Sequence, residues 1–188
     1  VEVILGNSNA NTITVNQADL LSGGTVDGST GTDTLALVSS ETTLDLSSTT
    51  LTSVEVILGN TNDNVVTVNQ ADLLSGGTVD GSAGTDTLAL VSSETTLDLS
   101  STTLSSVEVI LGNTNANTIT VNQADLLSGG TVDGGTANDT LALASADTTL
   151  DLSSTTLASV EVILGNSNAN TITVNQADLL SGGTVDGS

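Results

Sequence analysis

The most informative feature of this sequence is the set of residue types that it lacks. Its 188 residues contain no Lys, Arg or His against 22 Asp and Glu, which gives a formal charge of −22. Such a chain cannot neutralise phosphates or anionic headgroups, so we expect no nucleic-acid partner and no attachment to an anionic membrane surface. No apolar run approaches the roughly 20 residues of a transmembrane helix, so we expect no direct insertion into a membrane.

Aromatic residues, Cys, Met and Pro are also absent. Without His, Cys, Lys or Tyr, only carboxylates remain for acid–base chemistry. The acids recur with every repeat instead of flanking one groove, as a glycosidase pair would. We therefore expect no enzymatic activity, and we expect a core that is a narrow seam of aliphatic side chains.

What is present is a long internal repeat. The segment 1–29 returns unchanged as the segment 160–188, and near-copies begin at Val54 and Val107, so the repeat length is 53 residues. A period of this length indicates a solenoid in which each repeat packs against its neighbours. The repeats are 1–53, 54–106, 107–159 and a partial fourth at 160–188, which we interpret as one continuous solenoid cut from a longer array.

The hydrophobic pattern predicts an all-β fold, specifically a β-solenoid of the β-roll or β-helix type. An acidic chain without aromatics could instead be disordered, but 37% of the residues are apolar. They alternate with polar residues in short runs bounded by Gly, Asn, Asp and Ser, which is typical of strands and turns. In the first repeat we predict strands at 1–5, 12–15, 25–27, 33–37 and 43–46, with a capped helical turn from Asn16 to Asp19.

The strand that opens each repeat carries one acid between apolar residues. If Glu2 faces water, Val1, Val3 and Leu5 form the core side and Ile4 lies outside with the acid. The same alternation would place three more pairs on the surface: Glu55 with Ile57, Glu108 with Ile110, and Glu161 with Ile163. This interpretation predicts a row of exposed Ile through which filaments associate side by side.

The number of coils in a repeat is indicated by an internal similarity between two of its segments. Residues 6–14 and 28–36 both consist of a turn followed by a strand, and their numbers differ by 22. We therefore predict about two coils per repeat, a shorter one with this spacing and a longer one that takes up the rest of the repeat. Three-sided coils are the alternative, and both readings are open at this point.

The turns that contain Gly and Asp resemble a known nonapeptide. Residues 28–36, GSTGTDTLA, look like the RTX motif G-G-x-G-x-D-x-U-x, as do 81–89 and 134–142. In that family the motif forms a calcium-binding β-roll, so the resemblance implies Ca²⁺ as a cofactor at Asp33, Asp86 and Asp139. A good nonapeptide occurs only once per repeat here, and residues 6–14 have Asn11 where the Asp should be. The alternative is that these aspartates only cap turns.

More broadly, the chain is similar to the acidic, Thr/Asn/Gly-rich repeats of giant secreted bacterial adhesins and S-layer proteins. The resemblance implies a structural filament, surface layer or adhesin stalk, located outside the cell or on the bacterial surface. The expected partners are copies of the chain itself and divalent cations. An ice-binding or other ligand-binding role is the alternative, because Thr12 and Thr14 resemble the Thr pairs of ice-binding solenoids; Val65 breaks the pair in the second repeat.

Overall fold

A computed structural model describes residues 2–188 as short β-strands joined by tight corners. The strands are β1 Val3–Leu5, β2 Thr12–Val15, β3 Thr25–Asp27, β4 Thr34–Leu37, β5 Thr43–Asp45, β6 Thr50–Thr52, β7 Val56–Leu58, β8 Val65–Val68, β9 Thr78–Asp80, β10 Thr87–Leu90, β11 Thr96–Asp98, β12 Thr103–Ser105, β13 Val109–Asn113, β14 Thr118–Val121, β15 Thr131–Gly135, β16 Thr140–Leu143, β17 Thr149–Asp151, β18 Thr156–Ala158, β19 Val162–Leu164, β20 Thr171–Thr173 and β21 Thr184–Asp186. Four 3-10 turns separate them: η1 Gln17–Asp19, η2 Gln70–Asp72, η3 Gln123–Asp125 and η4 Gln176–Asp178. Within the described residues, no helix has the length and apolarity needed to cross a membrane.

Two compact units make up the described chain. One contains the residues up to 89 together with 101–107, and the other contains 90–100 and 108–188. In the first unit the strands form three sheets, which we call A (β1-β3-β6), B (β2-β4-β7-β9-β12) and C (β5-β8-β10). The chain visits A, B and C in turn, so each coil has three sides. The three-sided alternative is therefore the right one.

The second unit is built in the same way, from the sheets β11-β14-β16-β19-β21, β13-β15-β18 and β17-β20. Its pairs are parallel. Thr118 pairs with Thr140 and Thr140 with Val162, each 22 residues apart, whereas Thr131 pairs with Thr156, 25 residues apart. Together the two units contain about eight turns of β-solenoid. The predicted all-β solenoid is thus confirmed.

The 53-residue repeat does not fill a whole number of coils. The first repeat contributes seven elements, β1 to β6 and η1, and seven elements on three sides make two and one-third coils. The additional element is β6, Thr50–Thr52, which is not among the strands predicted for the first repeat. As a result, the strand that opens a repeat lies in sheet A in the first repeat (β1) and in sheet B in the second (β7).

Rows of aliphatic side chains run along the inside of each sheet. In sheet B the inward row aligns five residues in register: Ile13, Leu35, Ile57, Val79 and Leu104. Leu35, Leu44, Leu46 and Val121 are completely buried, and Ile119 is nearly so. Such a core needs no aromatic residue because facing aliphatic side chains fill it.

The predicted orientation of the opening strand is wrong. Ile57, Ile110 and Ile163 are each only 2% exposed and belong to the core, so there is no external row of Ile among them. Glu55 lies in the corner before β7. Its orientation therefore does not determine which residues of β7 face inward and which face outward. Ser53, with a φ of 50°, turns the chain just before it. Val56 and Leu58, partly exposed, are the outward residues instead.

Candidate functional site

The three aspartates of the nonapeptides are all buried. Asp33 and Asp139 have no exposed surface, and Asp86 is 2% exposed. Each lies immediately before a strand, β4, β10 or β16. In the first unit, Asp33 and Asp86 precede strands of different sheets, B and C. The structure therefore does not bring them together, and each lies in a corner of its own.

In its corner, Asp33 links three successive coils by hydrogen bonds. The backbone N–H of Asn11, 22 residues earlier, donates to Asp33 Oδ1 at 2.7 Å. The backbone N–H of Asp33 in turn donates to Oε2 of Glu55, 22 residues later, also at 2.7 Å. The same column recurs in the second unit, with distances of 2.6 and 2.7 Å, at Asn117, Asp139 and Glu161. These carboxylates thus hold neighbouring coils together through backbone groups.

The other carboxylate oxygen of the corner aspartate has no such partner. Oδ2 of Asp33 and Oδ2 of Asp139 are buried and receive no hydrogen bond. A Cβ built on Gly28 would lie 2.7 Å from Asp33 Oδ2, and it would also clash with the carbonyl oxygen of Ser53 in the next coil. Asp33 Oδ2 and the carbonyl oxygen of Ser53 therefore both lie close to the same point beside Gly28. Burying an ionised oxygen without a donor is costly.

The surroundings of Asp139 raise the pKa of its carboxyl group. Burial raises the pKa of its carboxyl above the ordinary value, and the hydrogen bond from the Asn117 backbone opposes this. Repulsion from the neighbouring carboxylates of Glu161 and Asp133 raises the pKa further. The corner is therefore an unfavourable place for an uncompensated negative charge.

The donor set determines how well a corner suits calcium. Ca²⁺ takes six to eight oxygen ligands, including carboxylates, carbonyls and water. Across residues 2–188, no three or more His, Cys, Asp or Glu side chains group so that they could hold a metal. The corners of Asp33 and Asp139 each provide a carboxylate oxygen without a donor, a Glu carboxylate and a main-chain carbonyl. This set fits a divalent cation in its chemistry, and calcium stays a prediction.

The Asn-rich turns have a role that the sequence interpretation missed. Asn60 Nδ2 donates to the carbonyl oxygens of Val38 at 2.9 Å and Glu41 at 2.8 Å, in a loop of the preceding coil. Asn62 Nδ2 donates to Ser39 O at 2.9 Å. The second unit repeats these contacts from Asn113 and Asn115 to Val91, Glu94 and Ser92. An Asp could not donate these bonds, which explains amide side chains in this turn.

The predicted capped turn is confirmed as η1, with a complete capping box between Asn16 and Asp19. η1 lies beside β5, at a position where a strand would otherwise pair with β5. The side chain of Gln17 takes over that pairing: its Oε1 accepts from Asp45 N at 2.6 Å, and its Nε2 donates to Asp45 O at 3.1 Å. A carboxamide has the donor and acceptor of a peptide group, so it can replace a strand residue at this position.

Outward side chains of sheet B bear on the ice-binding alternative. The first outward rank is Thr12, Thr34, Val56, Thr78 and Thr103, and the second is Thr14, Ala36, Leu58, Asp80 and Ser105. Only the first rank is rich in Thr. This face therefore does not present two parallel rows of Thr, and no contact here favours that alternative.

Comparisons with known proteins provide no relative to guide the interpretation. A scan against models of protein families and searches of curated proteins and solved structures found no match. The function must therefore be argued from the geometry of the corners and sheets. The resemblance to RTX repeats stays a prediction.

Proposed function

We propose that this chain is a segment of a structural, extracellular repeat protein that forms a filament, a surface layer or an adhesin stalk. One observation carries the proposal: the junction between repeats is made in the same way as a junction within a repeat. Strand β7 of the second repeat pairs with β4 of the first, and Ile57 lies in register with Leu35. Strands β2 and β4, both in the first repeat, pair with the same sequence offset, and Leu35 lies in register with Ile13.

A junction of this kind supports the interpretation of the repeats as consecutive coils and not separate domains. An array can then be extended without any new type of contact, and its stability is approximately a sum over coils and their interfaces. The corner hydrogen bonds behave in the same way: the N–H groups of Glu55 and Val56 both donate to Asp33 O across the first junction at 3.0 Å. This suits a protein whose function depends on length.

The distribution of acids supports a structural role without catalysis. Asp27 Oδ1 accepts from Ser29 N at 2.8 Å, and Asp45 Oδ1 accepts from Ser47 N at 2.9 Å. These carboxylates stabilise turns, and they recur from repeat to repeat. The location outside the cell is proposed from the resemblance to secreted adhesins and S-layer proteins.

Arrays with one, two, three, four and six complete repeats test the proposal. We expect the single repeat to be unfolded by circular dichroism and the thermal midpoint to rise with repeat number. Electron microscopy should show rods that lengthen by about 11 Å per repeat, since two and one-third coils are each about 4.8 Å apart. Midpoints independent of repeat number, or particles shaped like beads on a string, would contradict it. An antibody against the repeat should label intact, unpermeabilised cells of the producing organism.

A further inference from the structure

The corner around Asp33 brings three oxygen donors together and no positive charge. The chain contains no Lys, Arg or His, so no side chain can supply a cation at this or any other corner. Asp33 is completely buried and its Oδ2 receives no hydrogen bond. A buried carboxylate oxygen without a donor lacks a compensating group, and the side chains of this protein offer no cation for it.

The two other donors belong to the next coil. The carbonyl oxygen of Ser53 flanks the same point beside Gly28 as Asp33 Oδ2, and the φ of 50° at Ser53 is what turns it there. The carboxylate of Glu55 reaches the corner as well, because its Oε2 accepts the backbone N–H of Asp33 at 2.7 Å. A carboxylate has room for several further contacts at its two oxygens.

The second unit repeats these features with different residues. Oδ2 of Asp139 is buried and without a donor, and the Asp139 N–H donates to Glu161 Oε2 at 2.7 Å. The φ of Ser159 is 51°. Its carbonyl oxygen lies close to the position that a Cβ on Gly134 would take, and Cγ of Asp139 lies 2.8 Å from that position. Two corners in separate units therefore present the same donor set.

We propose that a divalent cation, calcium, joins successive coils at these corners through an Asp–Glu pair, Asp33 with Glu55 and Asp139 with Glu161. The carbonyl oxygens of Ser53 and Ser159 contribute a ligand, and water completes the shell. The second acidic ligand is thus a Glu that lies one coil after the Asp, and not the Asp of another nonapeptide. The proposal rests on the proposed structural role only in that the cation strengthens the stack of coils.

Calcium suits this donor set better than magnesium does. Ca²⁺ accepts irregular shells of carboxylate, carbonyl and water oxygens, whereas Mg²⁺ requires near-octahedral geometry and retains most of its water. A corner fixed by backbone hydrogen bonds cannot rearrange to an ideal octahedron. Magnesium at the same concentration therefore serves as a control, and we expect it to have a weaker effect.

The chain provides a matched pair of variants for the test. It contains six Glu residues, three after corner aspartates and three at other positions. The corner variant is Glu55→Gln, Glu108→Gln and Glu161→Gln, and the control, which removes the same charge, is Glu2→Gln, Glu41→Gln and Glu94→Gln. Thermal unfolding of the full chain is followed in calcium chloride and in a chelator at equal ionic strength. Isothermal titration with calcium chloride is carried out on the same proteins.

At a calcium concentration 100 times Kd, we expect the folding equilibrium of the original chain to shift about 100-fold per site. The control variant should respond equally, and the corner variant should lose most of the shift and most of the calorimetric binding. The proposal is overturned if the original chain melts identically in calcium and chelator, or if corner and control variants respond alike.

A second variant keeps the test informative if the Glu replacements weaken the fold. Replacing Asp33, Asp86 and Asp139 by Asn should leave a folded chain, because Asn11 Oδ1 lies against Gly6 much as Asp33 Oδ2 lies against Gly28. We expect this variant to lose the calcium response while remaining at least as stable in chelator; a calcium response equal to that of the original chain would contradict the proposal. The repeat-number series, carried out in chelator, tests the structural role separately.

Discussion

Gly28 is where the stacking of coils can be tested most directly. A Cβ at this position would lie 2.6 Å from the Cβ of Asp33 and closer still to the carbonyl oxygen of Ser53 in the next coil. Carbon atoms in contact are normally about 3.5–4.0 Å apart, so Gly28→Ala would push the coils apart by roughly 1 Å. The backbone hydrogen bond from Gly28 N to Thr52 O, 2.9 Å long, would then be lost or stretched.

The expected cost follows from these two effects. Overpacking costs about 1–3 kcal/mol, and a lost hydrogen bond costs a further 0.5–1.5 kcal/mol or so. We expect Gly28→Ala to lower the free energy of unfolding by about 2–4 kcal/mol, which lowers the thermal midpoint by about 5–15 °C for a chain of this size.

Gly187 supplies the control for this prediction. It has the same place in the fourth repeat, after an Asp and before a Ser, but a Cβ there would meet nothing within 4 Å. Both replacements reduce the entropy of the unfolded chain equally, so the difference between them isolates the contact with the next coil. Thermal melts followed by far-UV circular dichroism measure it. If Gly28→Ala and Gly187→Ala melt at the same temperature, the packing of the coils described above is wrong.

Contacts within the coils give three further predictions, and equilibrium urea unfolding measures each. Leu35→Ala should lower the free energy of unfolding by about 2–5 kcal/mol. The control Leu21→Ala should have a small effect, because the Leu21 side chain is 47% exposed. Equal losses from the two replacements would contradict the assigned core. Ser29→Gly should raise the free energy of unfolding by about 1 kcal/mol, because Ser29 has a φ of 79°, which strains a residue with a Cβ. The third repeat has Gly at the equivalent position. A lower free energy of unfolding would contradict backbone strain at Ser29. Gln17→Ala should lower the free energy of unfolding by about 1–3 kcal/mol through both hydrogen bonds to Asp45. Gln17→Glu should lower it as well, because a carboxylate oxygen would face the carbonyl oxygen of Asp45 without a donor. No loss from Gln17→Ala would contradict this role.

Much of the fold could be predicted because period-two alternation directly reports which side of a strand is buried. Leu35 and Leu44 alternate with polar residues and lie in the core, and the polar signature around Asn16 marks a capped turn that the structure confirms. The orientation of Ile57 could not be predicted in this way. Ser53 changes the direction of the chain just before the strand, and a local change of direction leaves no trace in a hydrophobicity pattern.

The corner site was less predictable, because its contacts join residues that are one coil apart and distant in sequence. The motif indicated Asp33 but gave no reason to pair it with Glu55, which by alternation belonged on the outside of a strand. The pairing depends on the length of one coil, and the hydrophobic pattern left two coil lengths open. In the same way, the donor role of Asn60 depends on which loop lies one coil below it.

The corners also explain how a chain with 22 acids and no cationic side chain can fold. Corners leave backbone N–H groups that no strand satisfies, and here carboxylates accept several of them, such as Asn11 N at Asp33 and Asp33 N at Glu55. A hydrogen bond to a charged group contributes about 1.5–3 kcal/mol. Two such charges one coil apart, about 4.8 Å, repel by roughly 0.9 kcal/mol in a water-like dielectric.

The hydrogen bonds therefore outweigh the repulsion wherever the carboxylates reach water. At the completely buried Asp33 the balance changes, because a lower dielectric increases the repulsion several-fold while the number of hydrogen bonds stays the same. This buried corner is the place where a bound cation gains the most. Carboxylates thus serve this chain as acceptors for backbone N–H groups of its corners, and we expect the proposed effect of calcium to be confined to the few acids that those corners bury.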